Sequence, residues 1–75
     1  MAHKFELEYK MLGLKIAYFR KLRGFTQEQL AEKLGVATAY IDQIEAAGMY
    51  KPISLTTLFR ISQALETPPH KFLEF

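Results

Sequence analysis

The sequence contains no cysteine, which excludes both a disulfide framework and a metal site built from thiolates. It also has no uninterrupted apolar run close to the ~20 residues that a membrane-spanning helix needs. No signal peptide is visible at its start. Because a chain without disulfides suits a reducing compartment, we expect a soluble cytoplasmic protein with no membrane partner.

Patterns typical of enzymes are equally scarce. The chain has no glycine-rich phosphate-binding loop and no His-Glu-x-x-His metal motif. Its two histidines, His3 and His70, are isolated in the sequence. Glu6 and Glu8 are two positions apart and would point in different directions on a helix. We therefore expect no enzymatic activity, no cofactor, no bound metal ion and no small-molecule substrate.

The chain does contain enough apolar material for one small core. Of its 75 residues 49% are hydrophobic, which suits a single domain with a thin margin of stability. The net charge of +2 conceals an asymmetry. Residues 15–23 carry four cations and no acid, whereas residues 26–45 carry four acids and one lysine. The pI of about 9.0 fits a nucleic-acid partner and fits an ordinary solvated surface equally well.

The segment 26–45 has the clearest pattern, that of two short helices joined by a tight turn. Thr26 followed three residues later by Gln29 forms a capping box, which predicts a helix over residues 26–34. Gly35 then suits the left-handed backbone position that ends a helix.

A third helix is predicted over about residues 37–46. Ile41 and Ile44 are its apolar anchors, because residues three apart lie on the same helical face. Ala37 has no side-chain oxygen, so it cannot accept a hydrogen bond from the first turn of this helix as a cap. Thr38 is an alternative cap, which would start the helix one residue later.

The first eleven residues fit two patterns. Alternation of Phe5, Leu7 and Tyr9 with charged residues indicates a strand. A helical stripe is also present, formed by Phe5, Tyr9, Leu12, Ile16 and Phe19. We favour an extended arm leading into a helix from about Glu8 or Leu12. The chain then divides into an arm or helix extension at residues 1–11 and a helical domain at residues 12–75.

Three more helices complete the prediction. One covers residues 12–23 and stops at Gly24. Another follows Ser54 as its cap, with an apolar stripe formed by Leu55, Leu58, Ile61, Ala64 and Leu65. A short fifth helix is predicted over residues 70–75, after a pair of prolines.

The run Thr-Gln-x-x-Leu-Ala-x-x-Leu-Gly-Val at residues 26–36, followed by Ile-x-x-Ile-Glu at residues 41–45, resembles the phage-repressor-like helix-turn-helix family of Cro/repressor type. The likeness extends from about Leu12 to about Leu73. It implies an all-α fold, a compact bundle of about five short helices, of the lambda-repressor-like DNA-binding kind. It further implies a sequence-specific transcriptional regulator that binds double-stranded DNA, reading a palindromic operator through the major groove as a homodimer.

The resemblance also implies roles for individual residues. Arg20 and Glu45 would form a partly buried ion pair that ties the first helix to the third. Gln27 would contact a DNA phosphate and brace the third helix. The positions that match base-facing ones are Thr38, Ala39 and Gln43, of which the glutamine can bond an adenine edge twice.

Four further residues have open roles. Tyr40 either packs against the DNA backbone or is half-buried beneath the following loop. Lys51 is the cation left in that loop and a candidate backbone contact. The family usually pairs through its last helices, so Phe72 and Phe75 are candidates for a dimer interface. The alternative is that this tail folds onto its own domain.

A second function is also open. The predicted surface of the third helix has no Arg, Lys or Asn, and arginine makes the commonest specific base contact. Asp42 adds a charge that would repel phosphate. These features favour, as the alternative, a protein-interaction module on the same fold with DNA binding weakened or lost.

Overall fold

The computed structural model describes residues 4–46, 48 and 50–75, and the regular elements among them are all helical. Its four α-helices are α1 (Glu6–Leu22), α2 (Gln27–Leu34), α3 (Thr38–Glu45) and α4 (Leu55–Ala64). A 3-10 helix, Pro69–Leu73, follows α4. The prediction of an all-α fold is confirmed for these described residues.

The prediction of about five α-helices is slightly off, because the last element is a 3-10 helix. It begins with Pro69 directly after Pro68, and proline has no backbone N–H to donate. The Lys71 N–H donates to the Pro68 carbonyl at 3.1 Å, which is a three-residue spacing. Helices with this tighter spacing occur in short pieces, which suits an element of five residues.

Helix α1 begins earlier than the favoured interpretation allowed. Residues 6–11 belong to this helix, so an extended strand there is wrong and a helix extension is correct. The helix is favoured over a strand because the apolar stripe of α1 packs against the core, where Leu12 and Ile16 are buried. Glu6 also pairs with Lys10 one turn later, Oε1 to Nζ at 3.5 Å, which favours a helix locally. Residues 1–3 of the predicted arm lie outside the described residues.

One core collects the buried faces of all five elements. Its members are Leu12, Ile16, Leu30, Ala31, Leu34, Ile41, Ile44, Leu58, Ile61, Leu65 and Phe72. The predicted stripe of α4 is correct at three leucine and isoleucine positions but wrong at Leu55, which is 65% exposed. Leu55 is the first residue of α4, one turn before the buried stripe begins, so it lies beyond the edge of the core.

The local signals around α2 and α3 are confirmed. The Gln29 N–H donates to the Thr26 hydroxyl at 3.1 Å, and the Thr26 N–H donates to the Gln29 side-chain oxygen at 2.8 Å. Gly35 has a φ of 69°, the left-handed conformation that ends α2. Ala37 occupies the cap position of α3 and makes no side-chain cap bond, so Thr38 is the first helical residue rather than the cap.

None of the helices in the described part of the chain combines the length and the apolarity needed to cross a membrane.

Candidate nucleic-acid interface

Helix α3 divides into a buried side and an open side. Ile41 and Ile44 face the core beside Leu30 and Ala31 of α2. The small side chain at position 31 lets the two helices approach closely. The opposite side of α3 is open to solvent at Thr38, Ala39 and Asp42, while Gln43 is half-buried. The helix-turn-helix therefore presents the three predicted base-facing residues on one short, accessible helix.

A buried ion pair holds the C-terminal end of α3. Arg20 donates to both carboxylate oxygens of Glu45, from Nε at 2.7 Å and from Nη2 at 2.9 Å. The two side chains are only 8% and 6% exposed. Arg20 also donates from Nη1 to the Phe25 carbonyl at 2.8 Å, and Gln27 donates from Nε2 to Glu45 at 3.0 Å. The predicted pair is thus present, and it links α1, the start of α2 and the end of α3.

The Gln27 amide is part of this network, which matches the bracing role implied by the resemblance. Its side chain is half-buried at the first turn of α2. Its Nε2 donates to Glu45, and the Gln29 N–H of the same turn donates to the Thr26 hydroxyl. The backbone N–H groups of Gln27 and Glu28, at the start of the helix, are those left to meet an anion.

Gly13 is a structural residue of this site that sequence reasoning missed. A Cβ built on Gly13 would lie 2.1 Å from the Ile44 carbonyl oxygen. Helix α1 therefore passes against the backbone of α3 at a distance that only glycine permits. The signal available in the sequence was a lone glycine inside a predicted helix. Glycine lowers the stability of a helix, so its presence there is typical of a close packing contact.

Tyr40 and Lys51 lie together at one side of α3. Lys51 places its Nζ 5.6 Å from the centre of the Tyr40 ring, a cation–π contact. Tyr40 also packs partly against the core, so both of its predicted roles remain compatible with its position. Lys51 is thereby held beside α3 rather than free in the loop.

Two arginines, Arg23 and Arg60, donate hydrogen bonds to backbone carbonyl oxygens of other elements. Arg23 donates to the carbonyl oxygens of Leu65 and Glu66, each at 2.9 Å. Arg60 donates to the Leu34 carbonyl at the end of α2. These bonds join residues far apart in sequence, and no local pattern predicts them. The guanidinium groups of Arg23 and Arg60 are therefore held by backbone carbonyl oxygens of the same domain.

The prediction that Phe72 lies at a dimer interface is wrong. Phe72 is fully buried in its own domain, with its ring centre 5.1 Å from that of Phe19. The 3-10 helix turns it inward because a large apolar ring gains more from the core than from solvent.

Phe75, in contrast, is 54% exposed and lines two adjacent apolar grooves. We call the exposed apolar surface around it the terminal face, which comprises Phe5, Leu14, Tyr18, Leu55, Leu73 and Phe75. It lies on α1, α4 and the chain end, whereas α3 packs on α1 and α2.

In the described part of the chain no group of three or more His, Asp or Glu residues is placed to hold a metal ion.

Comparison with known proteins identifies this arrangement. A family model described as Helix-turn-helix matches residues 16–72, which include α2, α3, α4 and both partners of the ion pair. The chain belongs to the phage-repressor-like helix-turn-helix family.

Similar proteins of this family include regulators with solved structures. The HTH-type transcriptional regulator SinR of Bacillus subtilis is 36% identical over 64 residues, 85% of this chain and 57% of SinR. The chain thus spans little more than half of that relative's length. One solved structure is that of SinR, described as the master regulator for biofilm formation, in complex with DNA. It matches this chain with a TM-score of 0.74 at 35% identity, over 84% of this chain and 98% of that one.

A second solved structure supports the fold alone. The restriction-modification controller protein C.AhdI from Aeromonas hydrophila matches with a TM-score of 0.79 at 23% identity, over 88% of this chain and 97% of that one. SinR carries the name of a transcriptional regulator, which agrees with the prediction that this chain has no enzymatic activity.

Proposed function

We propose that the chain is a sequence-specific, DNA-binding transcriptional regulator that inserts α3 into the major groove. The observation that carries this proposal is the open side of α3, on a helix whose other side is locked to α1 and α2. A rigid helix of eight residues fits the width of the groove. The match to SinR, a relative whose structure was solved in complex with DNA, supports DNA binding by this chain.

The proposed contacts divide into two kinds. Thr38, Ala39 and Gln43 contact base edges, since they lie on the open side of α3. The sugar-phosphate backbone beside the groove is contacted by the first turn of α2 at Gln27, by Tyr40 and by Lys51. Phosphate contacts position the helix, and base contacts give the sequence preference.

We further propose that two copies pair through the terminal face and bind a palindromic operator. A single copy offers few cations near α3, so one half-site gives little affinity. The terminal face exposes several large apolar side chains next to one another, which is typical of an interaction site. A symmetric pair would place two copies of α3 in successive major grooves about 34 Å apart.

The pairing is tested by Phe75→Ser. We expect this change to shift the protein from dimer to monomer in sedimentation equilibrium, because Phe75 lies at the centre of the terminal face. Leu22→Ser is the matched control, since Leu22 is 62% exposed but lies at the far end of α1. A wild type that sediments as a monomer with and without DNA would contradict the pairing, as would an unchanged Phe75→Ser variant.

The DNA-binding role is tested by the dependence of affinity on salt. For wild type we expect a steep loss of affinity between about 50 and 200 mM salt, because phosphate contacts release counterions. Lys51→Ala should reduce the slope of log K against log salt by about 2 for a dimer, one phosphate contact per copy. Lys71→Ala is the control, because Lys71 lies on the 3-10 helix beside Glu74 and away from α3.

The alternative function is a protein-interaction module that has lost DNA binding. Asp42, exposed on α3 with no Arg or Lys beside it on that helix, is the observation in its favour. Folded protein that binds no duplex even at low salt would favour this alternative and contradict the regulator. A steep salt dependence would exclude it.

A further inference from the structure

The open side of α3 has an unusual chemistry, and it restricts which bases the helix can read. At about 100° per residue, Ala39, Asp42 and Gln43 all point within about 50° of the direction opposite to Ile41 and Ile44. Thr38 lies at the edge of this surface. The surface thus offers one methyl group, one carboxylate and one amide, and it has no side chain that is only a hydrogen-bond donor.

From this surface we propose that the operator half-site has A·T pairs where it faces Gln43 and Ala39, with an adenine read by Gln43 and a thymine methyl group contacted by Ala39. No guanine is read directly there. The proposal rests on the proposed DNA-binding function and adds the class of sequence that the site selects.

Gln43 favours adenine because the two patterns of donor and acceptor match. Its amide oxygen accepts from the adenine N6 amine while its amide nitrogen donates to N7. Against guanine, the same oxygen would face the acceptor O6. Guanine is best bound by two donors from Arg or Lys, and α3 contains neither.

Ala39 and Asp42 restrict the neighbouring positions. The Ala39 methyl can only make apolar contact, and the C5-methyl of thymine is the apolar group of the major groove. The Asp42 carboxylate only accepts hydrogen bonds, so it is repelled by N7 and O6 of guanine and by O4 of thymine. It accepts from a base that presents an exocyclic amine, which means adenine or cytosine, so the pair facing Asp42 is either A·T or C·G.

The experiment is selection of bound duplexes from a random pool at low salt, followed by affinity measurements on modified sites. Replacing the adenine opposite Gln43 by 7-deazaadenine removes the N7 acceptor and should weaken wild-type binding. Gln43→Ala should weaken binding to the unmodified site roughly 5- to 150-fold for each half-site and should be insensitive to the modification. Gln63→Ala, an exposed glutamine on α4, is the control and should behave as wild type.

A second modification tests the methyl contact. Replacing thymine by deoxyuracil at the position facing Ala39 should weaken wild-type binding about fourfold. The Ala39→Gly variant should show no such loss. An equal loss for both proteins would overturn the contact between Ala39 and thymine.

The outcomes separate this inference from the proposed function. An enriched half-site with A·T pairs facing Gln43 and Ala39 supports the inference if both modifications weaken binding by wild type. Gln43→Ala must then be insensitive to 7-deazaadenine, and Ala39→Gly must be insensitive to deoxyuracil. An enriched half-site with an invariant guanine, weakened by 7-deazaguanine, overturns the inference while leaving the DNA-binding function in place. Salt-sensitive binding without any enriched sequence overturns the inference and the sequence-specific part of the proposed function, and leaves DNA binding itself in place. Folded protein that binds no duplex overturns the proposed function and the inference together.

Discussion

Arg20→Ala is expected to lower the free energy of unfolding by about 3–5 kcal/mol, the range observed when one partner of a buried pair is removed. The change leaves the Glu45 carboxylate, which is 6% exposed, with the Gln27 amide as its remaining partner among the described residues. It also removes the donor that satisfies the Phe25 carbonyl. A domain of 75 residues has a total stability of roughly 4–11 kcal/mol. The variant is therefore expected to be only marginally folded.

Urea denaturation followed by circular dichroism measures this effect. Arg20→Lys is the variant to use if the alanine variant does not fold, and it should also be destabilised, because an ammonium group cannot make the two parallel bonds of a guanidinium. The double variant Arg20→Ala/Glu45→Ala removes the stranded charge, so its loss should be smaller than the sum of the single losses. Unchanged melting of Arg20→Ala, or additive losses in this cycle, would contradict the structural role of the pair.

Gly13→Ala is expected to destabilise the fold by about 3 kcal/mol, the upper end of the range typical of overpacking. The new methyl group would lie 2.1 Å from the Ile44 carbonyl oxygen, which is backbone and cannot rotate away. Alanine is favoured over glycine within a helix by about 1 kcal/mol, so propensity alone predicts the opposite sign. A loss of stability therefore reports the contact between α1 and α3 directly.

The measurement is again urea denaturation, with Gly48→Ala as the control. A Cβ at Gly48 would meet no atom within 4 Å, so this variant should keep the stability of the wild type. Because the clash displaces α3, Gly13→Ala should also weaken DNA binding beyond what partial unfolding explains. A Gly13→Ala protein that is more stable than wild type would show that α1 does not approach α3 closely.

Local signals in the sequence were sufficient for the central motif. The capping box of Thr26 and Gln29 and the left-handed Gly35 involve residues within a few positions of one another, so their geometry follows from the chain itself. The same holds for the Ser54 cap of α4. The ion pair of Arg20 and Glu45 was predicted through the family resemblance, since 25 positions separate its partners.

Tertiary packing decided what local patterns left open. The first residues of α1 fit a strand and a helix equally well, and a core for Leu12 and Ile16 to pack on selected the helix. The same packing enclosed Phe72 while leaving Phe75 and Leu55 at the surface, although all three are equally apolar in the sequence. Burial depends on which elements meet in space, and a sequence pattern records only which side of one element is apolar.

By itself, then, the sequence determined the helix-turn-helix, the cap of its first helix and the set of side chains on the open side of its second, because these depend on neighbours along the chain. Only the tertiary structure decided that Gly13 is required at a helix crossing, that Arg23 and Arg60 bond distant carbonyls rather than phosphate, and that the terminal face stays open. Those outcomes depend on contacts between residues far apart in the chain, which exist only once the core has formed.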